Sequence, residues 1–224
     1  MKFDSPGSRR QALRVKTGKG MHEALLKARE VILSGGIAAI PTESFYALAA
    51  NAMDAAAVKR LIDLKRRSEG HPILLLISSA DELPNYVAGI PGQAKCLIER
   101  FWPGGLTMVF EAGANISPLL TGNTGKIGIR VSGHPVAREV ARLAGVPITG
   151  TSANISGKPP CLNAEEVSEL LGGGVDLIVD GGQTPGGKGS TILDVTLHPP
   201  RILREGMIEK EKLESCLSNS LPSG

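Results

Sequence analysis

Aromatic side chains are scarce in this sequence: Phe, Trp and Tyr make up 3% of 224 residues, with a single Trp. Single-stranded nucleic acids stack their bases on exposed rings, so the composition argues against that kind of platform. Cysteine is scarce too. Cys96, Cys161 and Cys216 are odd in number, far apart, and outside any C-x-x-C or Cys/His spacing. They suit neither a disulfide framework nor a zinc site. The histidines His22, His71, His134 and His198 form no H-E-x-x-H pattern, so no protein-held metal is expected. The longest aliphatic run, residues 73–77, is far short of the roughly 20 apolar residues that span a bilayer. The first residues, Met1 to Pro6, lack the apolar stretch of a secretory signal. A cytoplasmic protein with no membrane partner is expected.

What is present fits a packed globule: 42% hydrophobic and 21% charged residues, with a net charge of only +3. The positive charge is unevenly spread. Arg9, Arg10, Arg14, Lys16 and Lys19 load the N-terminus, and Lys59, Arg60, Lys65, Arg66 and Arg67 form a second cluster. Such clusters suit phosphates, on a nucleotide or on RNA, although a solvated face is the commoner reason for them.

Periodicity predicts helices over residues 21–34, 55–67, 92–101, 135–144 and 164–171, with helical turns near 81–87. Asp54 and Asn163 stand as N-caps of two of them. Strands are expected at 37–40, 73–77, 106–110, 126–131, 146–149, 176–179, 191–195 and 202–203. Helices and strands alternate without a break in composition. The expected fold is α/β: a single domain with a twisted, open, mixed β-sheet and flanking helices. Residues 1–20 read as a basic lead-in, 21–208 as the catalytic domain, and 209–224 as a C-terminal helix or tail.

Two apparent motifs fail. Gly182 to Lys188 has Walker A spacing, but Gly189 stands where Ser or Thr would hold magnesium, and a strand rather than a helix follows. A mobile glycine-rich loop is the better reading. Gly150-Thr151-Ser152 begins like a nucleophile elbow, but Asn154 occupies the final glycine position.

Four segments survive, each rich in hydroxyl, turn-forming or basic residues at an expected strand end. They are Pro41-Thr42-Glu43-Ser44-Phe45-Tyr46, Lys65 through His71-Pro72, Thr151-Ser152-Ala153-Asn154, and Gly186 through Ser190 to Arg204-Glu205-Gly206. Ligands of open α/β sheets gather in the crevice beyond strand ends. A Lys and an Arg two residues apart can flank one polyanion, the Arg as a bidentate fork and the Lys as a point charge. Taken singly, each has a plainer explanation: Lys65 and Arg67 can end a helix, and Ser152 and Asn154 can turn the chain.

Taken together and in order, these segments resemble the YrdC-like threonylcarbamoyl-adenylate synthases, in a short, single-domain form. The resemblance rests on P-T-[DE]-[ST]-x-Y, K-x-R, H-P, G-x-R-V, S-x-N and S-T-[IV], and runs from about Leu25 to Gly206. It implies a basic concave surface that joins L-threonine, bicarbonate and ATP into threonylcarbamoyl-AMP and pyrophosphate. The product would serve tRNA threonylcarbamoyladenosine modification, completed by a separate transferase complex. By resemblance, Lys65 and Arg67 are the catalytic pair on the ATP phosphates. Ser152, Asn154 and Arg204 complete the ATP site. Thr42, His71, Arg130 and Ser190 hold the threonine, and Tyr46 lines the pocket. Mg2+ would arrive with ATP. Ala47, Ala49, Ser132 and Lys126 depart from the family's usual residues.

No carboxylate pair suggests a dedicated general base, and Glu43 is the one weak candidate. The rival reading is a protein of ribosome maturation that binds tRNA or double-stranded RNA directly and has no synthase activity. The basic clusters favour it, and duplex RNA needs no stacking.

Overall fold

A computed structural model of the chain describes residues 12–16, 20–68 and 70–218. The elements run β1 (Leu13–Lys16), α1 (Met21–Leu33), β2 (Ala38–Pro41), β3 (Tyr46–Ala49), α2 (Ala55–Leu64) and β4 (Leu75–Ile77). After a 3-10 turn at Ala80–Asn85 come α3 (Gly92–Phe101), β5 (Leu106–Glu111), α4 (Pro118–Thr121), β6 (Lys126–Val131) and α5 (Pro135–Ala144). Then follow β7 (Ile148–Thr149), β8 (Thr151–Ser152), α6 (Ala164–Leu171), β9 (Leu177–Asp180), β10 (Thr191–Asp194), β11 (Arg201–Arg204) and α7 (Lys210–Ser218). The mixed α/β character is as expected.

The expected caps form. Asp54 accepts from the amides of Ala56 and Ala57, and Asn163 from that of Glu166. These bonds satisfy donors that the first helical turn leaves unpaired.

The strands make two mixed sheets rather than one. The first has the order β1-β9-β2-β3-β8, the second β11-β10-β5-β6-β4-β7. Gly150 is where the chain leaves one for the other: β7 pairs with β4, and β8, which follows at once, pairs with β3. A Cβ on Gly150 would lie 2.6 Å from side-chain atoms of Leu74 and Leu76, so a side chain there would wedge the crossover open. Alternation of apolar residues along a strand does not reveal such a change of sheet.

One hydrophobic cluster places α1 and α5 against the first sheet, through Leu25, Ala28, Ile32, Val136, Ala137 and Val140. A larger one runs from Leu48, Val58 and Leu61 through the second sheet to Leu213 and Cys216 of α7. The C-terminal helix is thus a packed part of the domain. So is β1, which lies within the stretch read as lead-in and pairs in parallel with β9. Arg9, Arg10 and Lys19 of the basic N-terminal cluster lie outside the described residues. No helix among the described residues is long and apolar enough to cross a membrane.

Candidate active site

Alternation along three strands of the second sheet separates core from cavity. Leu106, Met108, Phe110, Ile127, Ile129, Val131 and Leu193 are buried in the core. The residues between them, Thr107, Val109, Lys126, Gly128, Arg130, Ile192 and Asp194, line a cavity of about 690 Å³. Strand geometry sends successive side chains to opposite faces, so one face is packed and the other is free to hold a ligand. The cavity therefore lies over a sheet face, not only beyond strand ends. The strand-end segments supply its walls: Thr42 and Ser44 to Ala47, Gly150 to Ser152, and Leu203 to Glu205.

Of the residues singled out in the sequence, Thr42, Arg67, Arg130, Ser152, Ser190 and Arg204 line this cavity. Lys65, Asn154 and His71 are not among its lining residues. His71 is exposed and its Nδ1 meets Ser68 Oγ at 3.1 Å.

Lys65 and Arg67 part company at the end of α2. Arg66 between them takes a left-handed backbone, φ 49°, an uncommon state for a residue with a Cβ. Lys65 turns inward, 2% exposed. Its Nζ donates to Ser152 O at 2.5 Å, Asn154 O at 2.9 Å and Asn154 Oδ1 at 2.7 Å. An ammonium has three N–H donors, and all three are used. The Lys65 carbonyl also accepts from Ser156 N at 2.9 Å. Burial, with the Arg67 charge behind it, pushes Lys65 down to about 7. Arg67 turns to the cavity. Its Nη2 donates to Pro72 O at 2.8 Å and its Nη1 to Thr151 Oγ1 at 3.3 Å. Its Nε is buried without a partner.

Arg130 is 4% exposed. Its Nη1 meets Glu43 Oε1 at 2.6 Å, and its Nε is buried without a partner. Burial lowers its pKa and the Glu43 charge opposes that, but a guanidinium keeps its proton throughout the ordinary pH range. Both Glu43 oxygens are engaged, since Ser132 Oγ donates to Oε2 at 2.5 Å. The carboxylate named as a weak base candidate is thus committed to anchoring.

Across the cavity, Arg204 donates to the carbonyl of Ser190 at 2.7 Å and to its hydroxyl at 3.2 Å. That hydroxyl also meets Thr107 Oγ1 at 2.8 Å. Thr42 Oγ1 donates to Phe45 O at 2.7 Å, closing the turn that carries Glu43. Lys126 is held by Asp194 Oδ2 at 3.0 Å and Thr196 Oγ1 at 2.6 Å.

The glycine-rich stretch is tied down rather than loose. Tyr46 Oη accepts from Gly181 N at 3.0 Å and donates to Gly182 O at 2.9 Å. Gly186 N donates to Ser44 O at 2.7 Å. Thr107 carries no signal in the sequence, and Lys188 only the failed Walker spacing. Their place in the cavity follows from pairing of distant strands.

Among the described residues no group of three or more His, Cys, Asp or Glu could hold a metal ion.

The family model for Sua5, YciO and YrdC proteins, described as telomere recombination, matches residues 30–206. The chain belongs to this family. Two named threonylcarbamoyl-AMP synthases illustrate the range of its curated relatives. That of Pyrococcus abyssi is 38% identical over 186 residues, 83% of this chain and 55% of its own length. That of Vibrio campbellii is 31% identical over 186 residues, 82% of this chain and 98% of its own. The chain thus spans about half the length of some curated relatives, and nearly all of others. Among solved structures, that of P. abyssi Sua5 complexed with L-threonine superposes with a TM-score of 0.86 at 36% identity, covering 92% of this chain and 60% of that one.

Proposed function

We propose that this Sua5/YciO/YrdC chain is a threonylcarbamoyl-AMP synthase. The observation that carries the reading is the Arg130 guanidinium, almost fully buried beside the cavity with its Nε unpaired. Glu43 balances its charge, but a buried N–H without an acceptor is held at a cost until an oxygen completes it. The carboxylate of an amino acid fits that need through a bidentate fork. The names of the relatives, and the L-threonine complexed with P. abyssi Sua5, point to threonine as that amino acid.

The threonine ammonium would combine with bicarbonate, losing water and a proton, to give a carbamate. A carbamate oxygen would then attack the α-phosphorus of ATP, and the bond to the β-phosphate oxygen would break to release pyrophosphate. The chain supplies position and charge rather than a covalent intermediate. Arg67 with its free Nε, Arg204 and Lys188 form the cationic wall suited to the triphosphate. Ser152 and Ser190 offer hydroxyls along it. Lys65 serves this site from behind, by shaping the Ser152–Asn154 turn. Magnesium would arrive as part of the MgATP substrate. Of the carboxylates at the cavity, Asp194 is already paired with Lys126, and Glu43, which lies behind the lining, with Arg130. The adenylate would pass to a tRNA-modifying transferase complex.

The test is pyrophosphate release from MgATP with and without L-threonine and bicarbonate, with mass spectrometry for threonylcarbamoyl-AMP. Release that needs both co-substrates supports the synthase. RNA affinity that falls steeply with salt, without such release, supports the RNA-binding reading instead. Against that reading, several cations of the described basic clusters are neutralised by neighbours. Arg14 pairs with Glu165 and Asp180, Lys59 with Asp63, and Arg60 with Asp176.

A further inference from the structure

We infer that Glu43, seconded by Ser132, is the positioning residue for the amino-acid end of the cavity. The inference rests on the synthase reading for its substrate, but its geometry stands apart from it.

Arg130 projects from β6 beneath the turn at Thr42–Phe45. A guanidinium has two useful edges. Glu43 Oε1 takes the Nη1 end at 2.6 Å, and the Nε is left without a partner. The Nε–Nη2 edge thus keeps its donors for an incoming carboxylate. Glu43 would be a poor anchor if it could swing. It is fixed at its other oxygen by Ser132 Oγ at 2.5 Å, and Gly133 N approaches Oε1 at 3.4 Å. The same Ser132 hydroxyl accepts from His134 N at 3.2 Å, tying it to the N-terminus of α5. The chain of contacts runs from α5 through Ser132 and Glu43 to Arg130, and so to the cavity. Neither Glu43 nor Ser132 lines the cavity. They act through Arg130, which makes them positioning rather than catalytic residues.

This arrangement gives Ser132 a task that its sequence context does not suggest. It also gives the acidic position of the Pro41–Tyr46 segment a role that calls for no proton transfer.

The experiment compares wild type with Glu43→Gln and Ser132→Ala. Two quantities are read: KM for L-threonine against KM for ATP, and the 15N–1H resonance of the Arg130 Nε, assigned by its loss in Arg130→Lys. The expected result for Glu43→Gln is a threonine KM raised by at least about tenfold, the scale of a lost charge-assisted hydrogen bond. The ATP KM should stay within about twofold. The Arg130 resonance should shift and broaden as the guanidinium gains freedom. Ser132→Ala keeps the charge pair and removes only the second anchor. It should fold even if Glu43→Gln does not, and raise the threonine KM about threefold with a smaller shift of the same resonance. An unmoved Arg130 resonance in the folded variants overturns the inference, and so does an equal rise of both KM values. If wild type shows no threonine-dependent turnover, the synthase reading fails. The resonance alone then decides the positioning role.

Discussion

The Lys65 Nζ lies 2.7 Å from the side-chain oxygen of Asn154 and donates as well to the main-chain oxygens of Ser152 and Asn154. The two basic residues of the K-x-R segment therefore do different work. One builds the turn; the other faces the cavity.

Lys65→Met keeps the aliphatic stem and removes every donor. Three acceptors then lose this donor, and Asn154 Oδ1 keeps only its bond from Ser152 Oγ. The expected cost is about 1–3 kcal/mol, the range for leaving a buried acceptor without its partner. Urea unfolding of the variant against wild type reads it directly. A midpoint equal to that of wild type would mean the clamp is not structural.

The same residue makes stability depend on pH. Its folded value, about 7, lies below the ordinary 10.5. Between these values the unfolded chain holds a proton that the folded chain does not. Unfolding free energy from this group therefore rises as pH climbs from about 7 towards 10.5. Urea midpoints across that range should rise less in Lys65→Met than in wild type.

Arg67→Ala should behave differently. Its guanidinium faces the cavity and only its Nη atoms touch protein oxygens. Adenylate formation is expected to fall about 100-fold, the scale of losing one preorganised charge stabiliser. The melting temperature should stay within a few degrees, as scanning calorimetry can check.

Gly206→Ala tests the wall that carries Arg204. A Cβ at this position would lie 2.4 Å from Gly189 O and from Thr191 N, both main-chain atoms. Neither can step aside alone, so β10 and the segment after β11 must part. A destabilisation of about 2–3 kcal/mol is expected, with loss of the Arg204 contact to Ser190. Chemical denaturation and a crystal structure of the variant would check the two effects.

Much of this is legible in the sequence, for identifiable reasons. Asp54 and Asn163 announce their helices because capping is a local contact. The strands β5 and β6 stand out because apolar residues recur at every second position. Lys65 reads as a phosphate ligand because its spacing to Arg67 is all that a sequence exposes. The left-handed turn at Arg66, which sends the two side chains apart, leaves no such mark. Strand β3 escapes notice because Tyr46–Ala49 is short and buried on both faces, without alternation. The division into two sheets hinges on Gly150, whose role depends on Leu74 and Leu76, more than seventy residues away in the chain.

The pairing of Arg130 with Glu43 also sets how the two ends of the cavity respond to ionic strength. The amino-acid end carries balanced charge before any ligand arrives, and its guanidinium is buried. The wall of Arg67, Lys188 and Arg204 is a cationic concentration open to solvent, where mobile ions screen over about 8 Å at 0.15 M. Added salt should therefore weaken nucleotide binding while leaving the affinity for the amino acid nearly untouched. Titrations of each ligand from low to high potassium chloride would separate an end that draws its ligand from a distance from one that selects it by shape.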